Sequence, residues 1–179
     1  GVWLLLLLLR LILSGLQRCS MCPWMQPVRH GGLCSGRQRV LTCRRCAGTP
    51  QETMMQNMAN YRTHTLQAAK SGAQIVVFPE FGLLDADATS KCSTPSDMAA
   101  WCEPVPAPAS PGAAPVNPCE QKSSFAASPV VVAASCMARN ASIITAVNLC
   151  QFVKGTGGAS DKYFNTELVL SETGEVRRV

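Results

Sequence analysis

Glu80 follows Pro79 at the end of the apolar run Ala73-Gln74-Ile75-Val76-Val77-Phe78. A carboxylate placed there can take a proton from a nucleophile or a water, because ligands of open α/β sheets sit beyond the carboxyl ends of the strands. Position alone more often marks a solvated loop acid or a helix cap. The cysteines are the second group with chemistry to offer: there are 10 among 179 residues. Cys19-x-x-Cys22 and Cys43-x-x-Cys46 form two pairs, with His30 and Cys34 between them. Four thiolates could hold a tetrahedral zinc. The same cysteines could be disulfide partners in a secreted chain, or the segment could lack regular order. The residues leave all three readings open. His64 falls off the apolar stripe of its helix and is given no role.

The elements that must position Glu80 begin at Thr49. Thr49-Pro50-Gln51-Glu52 reads as a capping box with proline in the first turn. Met54, Met58, Tyr61, Thr65 and Ala69 then recur on one face, so a helix is expected, its methionines packed in a core rather than against a cofactor. Lys70 suits the negative end of that helix and Gly72 a left-handed stop. Ala73–Phe78 is expected to be a short strand buried on both faces, as in a parallel sheet, and Pro79 to end it. Residues 86–127 carry seven of the 12 prolines and are expected to be an insertion without regular structure. Ser128-Pro129 opens a second helix, running to about Arg139 with Asn140 as its stop. Ile143–Leu149 and Tyr163–Leu170 read as strands, and Glu172-Thr173-Gly174 as the turn of a hairpin. Helix, strand, helix, strand, strand implies an α/β layer arrangement.

Composition bounds the function. A hydrophobic fraction of 47% and a charged fraction of 15% exclude a disordered charged tail as the whole chain. The net charge of +5 is concentrated between Arg10 and Arg45, where seven arginines stand without one acid. No aromatic residues interleave with them in a stacking pattern, so no nucleic-acid partner is expected. The chain starts with glycine, and Val2–Leu9 and Leu11–Leu13 form an apolar stretch to Leu16. About fifteen residues is short of the roughly twenty that cross a bilayer. Residues 1–18 therefore read as a secretory leader whose basic start is missing. Membrane contact is expected only through that leader or an anchor outside the chain. The oligomeric state leaves no mark in the sequence.

Gly72-Ala73-Gln74-Ile75-Val76-Val77-Phe78-Pro79-Glu80-Phe81-Gly82 resembles the first catalytic motif of the nitrilase superfamily of carbon–nitrogen hydrolases. Further pieces follow in order and resemble the biotinidase and vanin (pantetheinase) branch: Asn117-Pro118-Cys119, Ala134-Ser135-Cys136-Met137-Ala138, Asn140-Ala141-Ser142, Ala146-Val147-Asn148-Leu149 and Tyr163-Phe164-Asn165-Thr166-Glu167-Leu168-Val169-Leu170. The resemblance covers roughly residues 50–179 and leaves out 1–48. It divides the chain into a leader (1–18), a Cys/Arg-rich segment (19–48) and an incomplete hydrolase domain (49–179) with its Pro-rich insertion at 86–127.

The resemblance implies an α/β fold of nitrilase type, a four-layer α-β-β-α sandwich of which this chain holds about half the sheet. The family's first strand, which precedes the helix, has no match. The implied activity is amide hydrolysis by a Glu–Lys–Cys triad, without cofactor or metal. The glutamate draws the proton from the thiol, the lysine stabilises the oxyanion, and the cysteine forms a thioester that water releases. Glu80 maps onto the base. The lysine is expected shortly after the strand that starts at Glu175, and the cysteine further on, both past Val179, so these 179 residues by themselves are expected to be silent. Cys150 is not promoted to nucleophile; a disulfide or structural thiol is expected there. The implied partner is a small carboxamide, such as a vitamin conjugate. The resemblance also implies a Cys119–Cys136 disulfide and a secreted chain, for which Asn140-Ala141-Ser142 would be a glycosylation acceptor. Two alternatives stand beside it: a secreted protein that keeps the core without catalysis, and a zinc-binding cysteine module joined to an α/β fragment.

Overall fold

Helix α1, Pro50–Lys70, starts where the capping box places it. In the computed structural model, which describes residues 48–84 and 98–179, the Thr49 backbone N–H donates to Glu52 Oε2 at 2.7 Å and the Glu52 N–H donates to Thr49 Oγ1 at 3.3 Å. Such a cap contributes about 1 kcal/mol to a helix end. Met54, Met58, Tyr61 and Thr65 are buried along the expected stripe, and Thr53 and Asn57 beside it are buried too. His64 is exposed. Gly72 adopts φ 84° just past the helix, the left-handed stop its position suggested.

Strand β1, Ile75–Val77, follows at once. β2 is Cys102–Glu103, helix α2 is Pro129–Ala141, β3 is Ile144–Val153, β4 is Lys162–Leu170 and β5 is Val176–Arg178. They form one five-stranded sheet in the order β1-β3-β4-β5, with β2 also on β3. β1 and β2 both run parallel to β3, β1 against Ile144–Ala146 and β2 against Cys150–Gln151. β3, β4 and β5 are antiparallel neighbours. The fold is mixed α/β with a partial sheet. Val147, Leu149, Leu168, Leu170 and Val176 face the two helices and meet Met54, Met58, Val130, Val131, Ala134 and Met137 in the core.

Three expectations need correction. β1 is not buried on both faces: Ile75 and Val77 are 48% and 57% exposed, and only Val76 between them packs against the core. The strand stands at the sheet edge, and among the described residues the helices cover one face of the sheet. The stretch 86–127 is not wholly irregular. Residues 85–97 lie outside the described residues, but β2 joins the sheet and short 3-10 turns form at Ala99–Trp101 and Lys122–Phe125. Helix α2 does not stop at Asn140; it continues to Ala141, and Ser142 at φ 54° takes the left-handed position.

Ser128 precedes α2 but does not cap it. Its hydroxyl donates to the Pro104 carbonyl at 2.7 Å. The cap comes instead from Glu103 on β2, whose two oxygens accept from Val130 N–H at 3.1 Å and Val131 N–H at 2.5 Å. The insertion is tied down twice more. Cys119 is disulfide-bonded to Cys136 on α2, as the resemblance implied, and Cys102 to Cys150 on β3. Ser135 Oγ, fully buried, accepts from the Cys119 N–H and donates to the Gly174 carbonyl, joining the insertion, α2 and the β4–β5 turn.

Among the described residues no helix is long and apolar enough to cross a membrane, and no group of three or more His, Cys, Asp or Glu is placed to hold a metal ion. The expectations for the leader and for Cys19, Cys22, His30, Cys34, Cys43 and Cys46 fall outside the described residues.

Candidate active site

Glu80 lies in the turn Pro79–Leu84, immediately after β1, and is exposed. Four features fix that turn. Gly82 N–H donates to the Pro79 carbonyl and Leu84 N–H to that of Phe81, closing two tight turns in succession. Leu83 and Leu84 are 1% and 5% exposed and anchor its far end. Asn57 on α1 donates from Nδ2 to the Leu83 carbonyl at 2.9 Å. Tyr61, one turn further along α1, stacks on Phe78 with ring centroids 3.7 Å apart and 7° between planes. Its hydroxyl lies against Gly82, where a Cβ would run into it. Glycine is therefore required by close approach, since the tyrosine occupies the space a side chain needs.

Phe81 adopts φ 58°, a backbone conformation uncommon for a bulky residue. What holds it there begins the hydrogen-bond chain of the site. The Phe81 N–H donates to Asn148 Oδ1 at 3.0 Å. Asn148 Nδ2 donates to Asn165 Oδ1 at 2.8 Å. Asn165 Nδ2 donates to Glu80 Oε1. Asn148 is on β3 and 6% exposed, while Asn165 and Glu80 are exposed. Both Asn148 and Asn165 stand on the face of the sheet turned away from the helices, because their neighbours Val147, Leu149 and Leu168 face the core. Glu80 is thus held through one oxygen by an amide that is itself held by another. No described residue donates to its second oxygen, Oε2.

A second carboxylate belongs to the same group. Glu167 pairs with Asn148 across the β3–β4 ladder. Its carboxyl is raised above the ordinary glutamate range, chiefly by partial burial; a hydrogen bond from the Asn148 side chain opposes this, and the charge of Glu80 adds to it. Burial, and behind it the charge of Glu167, also raises the Tyr61 phenol. The hydroxyl therefore stays protonated, yet it is buried with no hydrogen-bond partner among the described residues.

Sequence reasoning placed Glu80 past the carboxyl end of a parallel strand, and it is there. Among the described residues no free thiol stands beside it: Cys150, in register with Asn165, is bonded to Cys102. It also brings together residues to which the sequence gave no role, Asn57, Asn148, Asn165 and Glu167. Asn148 did carry a signal, being a polar residue inside the apolar run of β3.

No family model matches the chain, and no curated protein matches it. Among solved structures the chain is similar to two forms of an amidase from Nesterenkonia sp. AN1. One is a double mutant in complex with acrylamide, at 16% identity and a TM-score of 0.40 over 69% of this chain and 35% of that one. The other is a mutant showing the result of Michael addition of acrylamide at the active site cysteine, at 18% identity and a TM-score of 0.39 over 72% of this chain and 36% of that one. The chain spans little more than a third of the amidase structures to which it is similar.

Proposed function

We propose that residues 49–179 are part of a carbon–nitrogen hydrolase domain in which Glu80 is the general base. The observation that carries this reading is the way Glu80 is held. Asn165 engages Oε1 at the mouth of the parallel β1–β3 pair, and no described residue donates to Oε2. A carboxylate fixed in this way is suited to drawing a proton from a thiol and then from the water that releases the acyl group. The resemblance assigns the lysine and the nucleophilic cysteine of that chemistry to no residue of this sequence. The substrate class we infer is a small carboxamide.

The Cys119–Cys136 bond favours the biotinidase and vanin branch, since that resemblance implied the pairing. Two disulfides favour an oxidising compartment, and so a secreted chain.

The test is release of ammonia or amine from small carboxamides by the full-length protein and by its Glu80→Gln variant. Loss of the base should lower kcat by about 10²–10⁴-fold with the fold intact by circular dichroism. A variant that hydrolyses at the native rate would remove Glu80 from the mechanism.

A further inference from the structure

We propose that Asn148 is a positioning residue for Glu80, closing a ring of hydrogen bonds that leaves the chain at the Phe81 N–H and returns to it at the Glu80 carboxylate. The Phe81 N–H donates to Asn148 Oδ1 at 3.0 Å. Asn148 Nδ2 donates to Asn165 Oδ1 at 2.8 Å, and Asn165 Nδ2 donates to Glu80 Oε1. Glu80 and Phe81 are consecutive, so the chain itself completes the circuit. An asparagine side chain has a carbonyl on one side and N–H donors on the other, and its neighbours decide which way round it lies. Both ends of this circuit have one character only: a backbone N–H must donate, and an ionised carboxylate must accept. Were Asn148 turned over, its Nδ2 would meet the Phe81 N–H donor to donor, and its oxygen would meet Asn165 Oδ1. Asn165 would then turn as well and set a carbonyl oxygen against Glu80.

Two further observations give Asn148 the controlling place. The first is burial. Asn148 is 6% exposed, whereas Asn165 and Glu80 are exposed. An exposed amide can exchange its carboxylate for water at little cost. A buried one cannot, because each bond it fails to make leaves an unsatisfied group. Asn148 is therefore the member of the ring that water cannot release. The second is the backbone of Phe81, held at φ 58°. Such a conformation persists where the surroundings hold it, and the N–H of that residue is the one bound by Asn148. One buried side chain on β3 thus fixes both the turn that carries Glu80 and the amide that holds its carboxylate.

NMR of the intact protein, labelled with nitrogen-15 at asparagine and phenylalanine, tests the ring. In the unaltered protein the exposed Asn165 side-chain amide should be as ordered as rigid backbone, with an order parameter of about 0.85; a value below about 0.6 overturns the proposal whatever the variants do. Asn148→Leu removes both donor and acceptor, so the Phe81 N–H and the Asn165 side-chain N–H resonances should both leave their native shifts. Asn148→Asp is read where the new carboxylate is ionised, as its own carboxyl carbon reports. It still accepts from Phe81 but has nothing to donate, so the Phe81 resonance should stay while that of Asn165 moves. An Asn165 amide that keeps its native shift in either variant overturns the positioning role. The role of Glu80 as a base rests on the hydrolase reading above. In the full-length protein, Asn148→Leu should lower kcat by about 10²-fold with KM little changed, since it misplaces a reacting group. A native kcat, where Glu80→Gln is inactive, overturns the proposal. If Glu80→Gln is itself active, the hydrolase reading has failed instead, and the order parameter and the shifts still decide the ring.

Discussion

Each polar atom around Glu80 is placed by a neighbour of fixed character. The carboxylate is held by an amide, the amide by a second amide, and the second amide by a backbone N–H that exists in that orientation because Phe81 sits at φ 58°. Below the turn the constraint is steric. Tyr61 fills the space against Gly82 and stacks on Phe78. Gly82→Ala should therefore push Tyr61 off Phe78 and cost roughly 1–3 kcal/mol, as overpacking does. Urea unfolding monitored by circular dichroism would measure it, and a native midpoint would show that the tyrosine can move aside freely.

At this scale the sequence was partly legible. Strand, proline and glutamate announced Glu80, because proline stops a ladder and leaves the next side chain beyond the strand end. Asn165 and Glu167 were not announced. They lie 85 and 87 positions from Glu80, and only the pairing of β3 with β4 brings them near; that register follows from where the β3–β4 connection turns, which the side-chain types do not specify.

Among the elements, β2 is the one whose effect outruns its length. Its two residues carry one disulfide cysteine and the carboxylate that caps α2. Proline density hid it, since two paired residues leave no periodic pattern. Burial pushes Glu103 up to about 7, although the Val131 and Val130 N–H groups pull the other way. A folded value above the ordinary glutamate value of 4.5 means that folding favours the protonated form. The stabilisation is then fully present below about pH 4.5 and is lost as the pH rises through about 7, a change of about 3 kcal/mol. Urea midpoints at intervals between pH 4.5 and 8 should fall accordingly, and Glu103→Gln should flatten that part of the profile. A wild-type profile already flat there would mean that the helix end keeps the carboxylate ionised as easily as water does.

The Cys119–Cys136 bond ties the insertion to the middle of α2 across a separation of 17 residues. Replacing both cysteines by serine should cost about 3 kcal/mol in the chain-entropy picture. Urea denaturation of the oxidised and double-serine proteins compares the two directly, and equal midpoints would show that the insertion is held by its other contacts, Ser135 among them.

Taken as a whole, the described part of the molecule is lopsided. Helices cover one face of the sheet, while Ile75 and Val77 on the other remain 48% and 57% exposed. The periodicity of α1 and the apolar run of β3 made the helix-facing core legible. The apolar run of β1 misled, because continuous apolar character implies cover on both faces and the described residues supply it on one. An apolar edge strand of this kind promotes association, and lysine on it is the usual remedy. Val77→Lys should lower concentration-dependent light scattering without moving the unfolding midpoint by more than about 0.5 kcal/mol. Unchanged scattering would mean that association starts elsewhere.

The central place of β3 in the sheet has a consequence in time. β1, β2 and β4 all pair with it, and Ile75 meets Ile144 across 69 intervening steps of chain. During synthesis at about 5–20 residues per second, α1 and β1 must wait several seconds before their partner strand exists. Cys102 waits likewise for Cys150, and Cys119 for Cys136. In that interval the apolar side of α1 lacks the β3 and β4 residues of its core and the Cys102 thiol lacks its partner, so this stretch of nascent chain keeps apolar surface and a thiol uncovered until β3 has emerged.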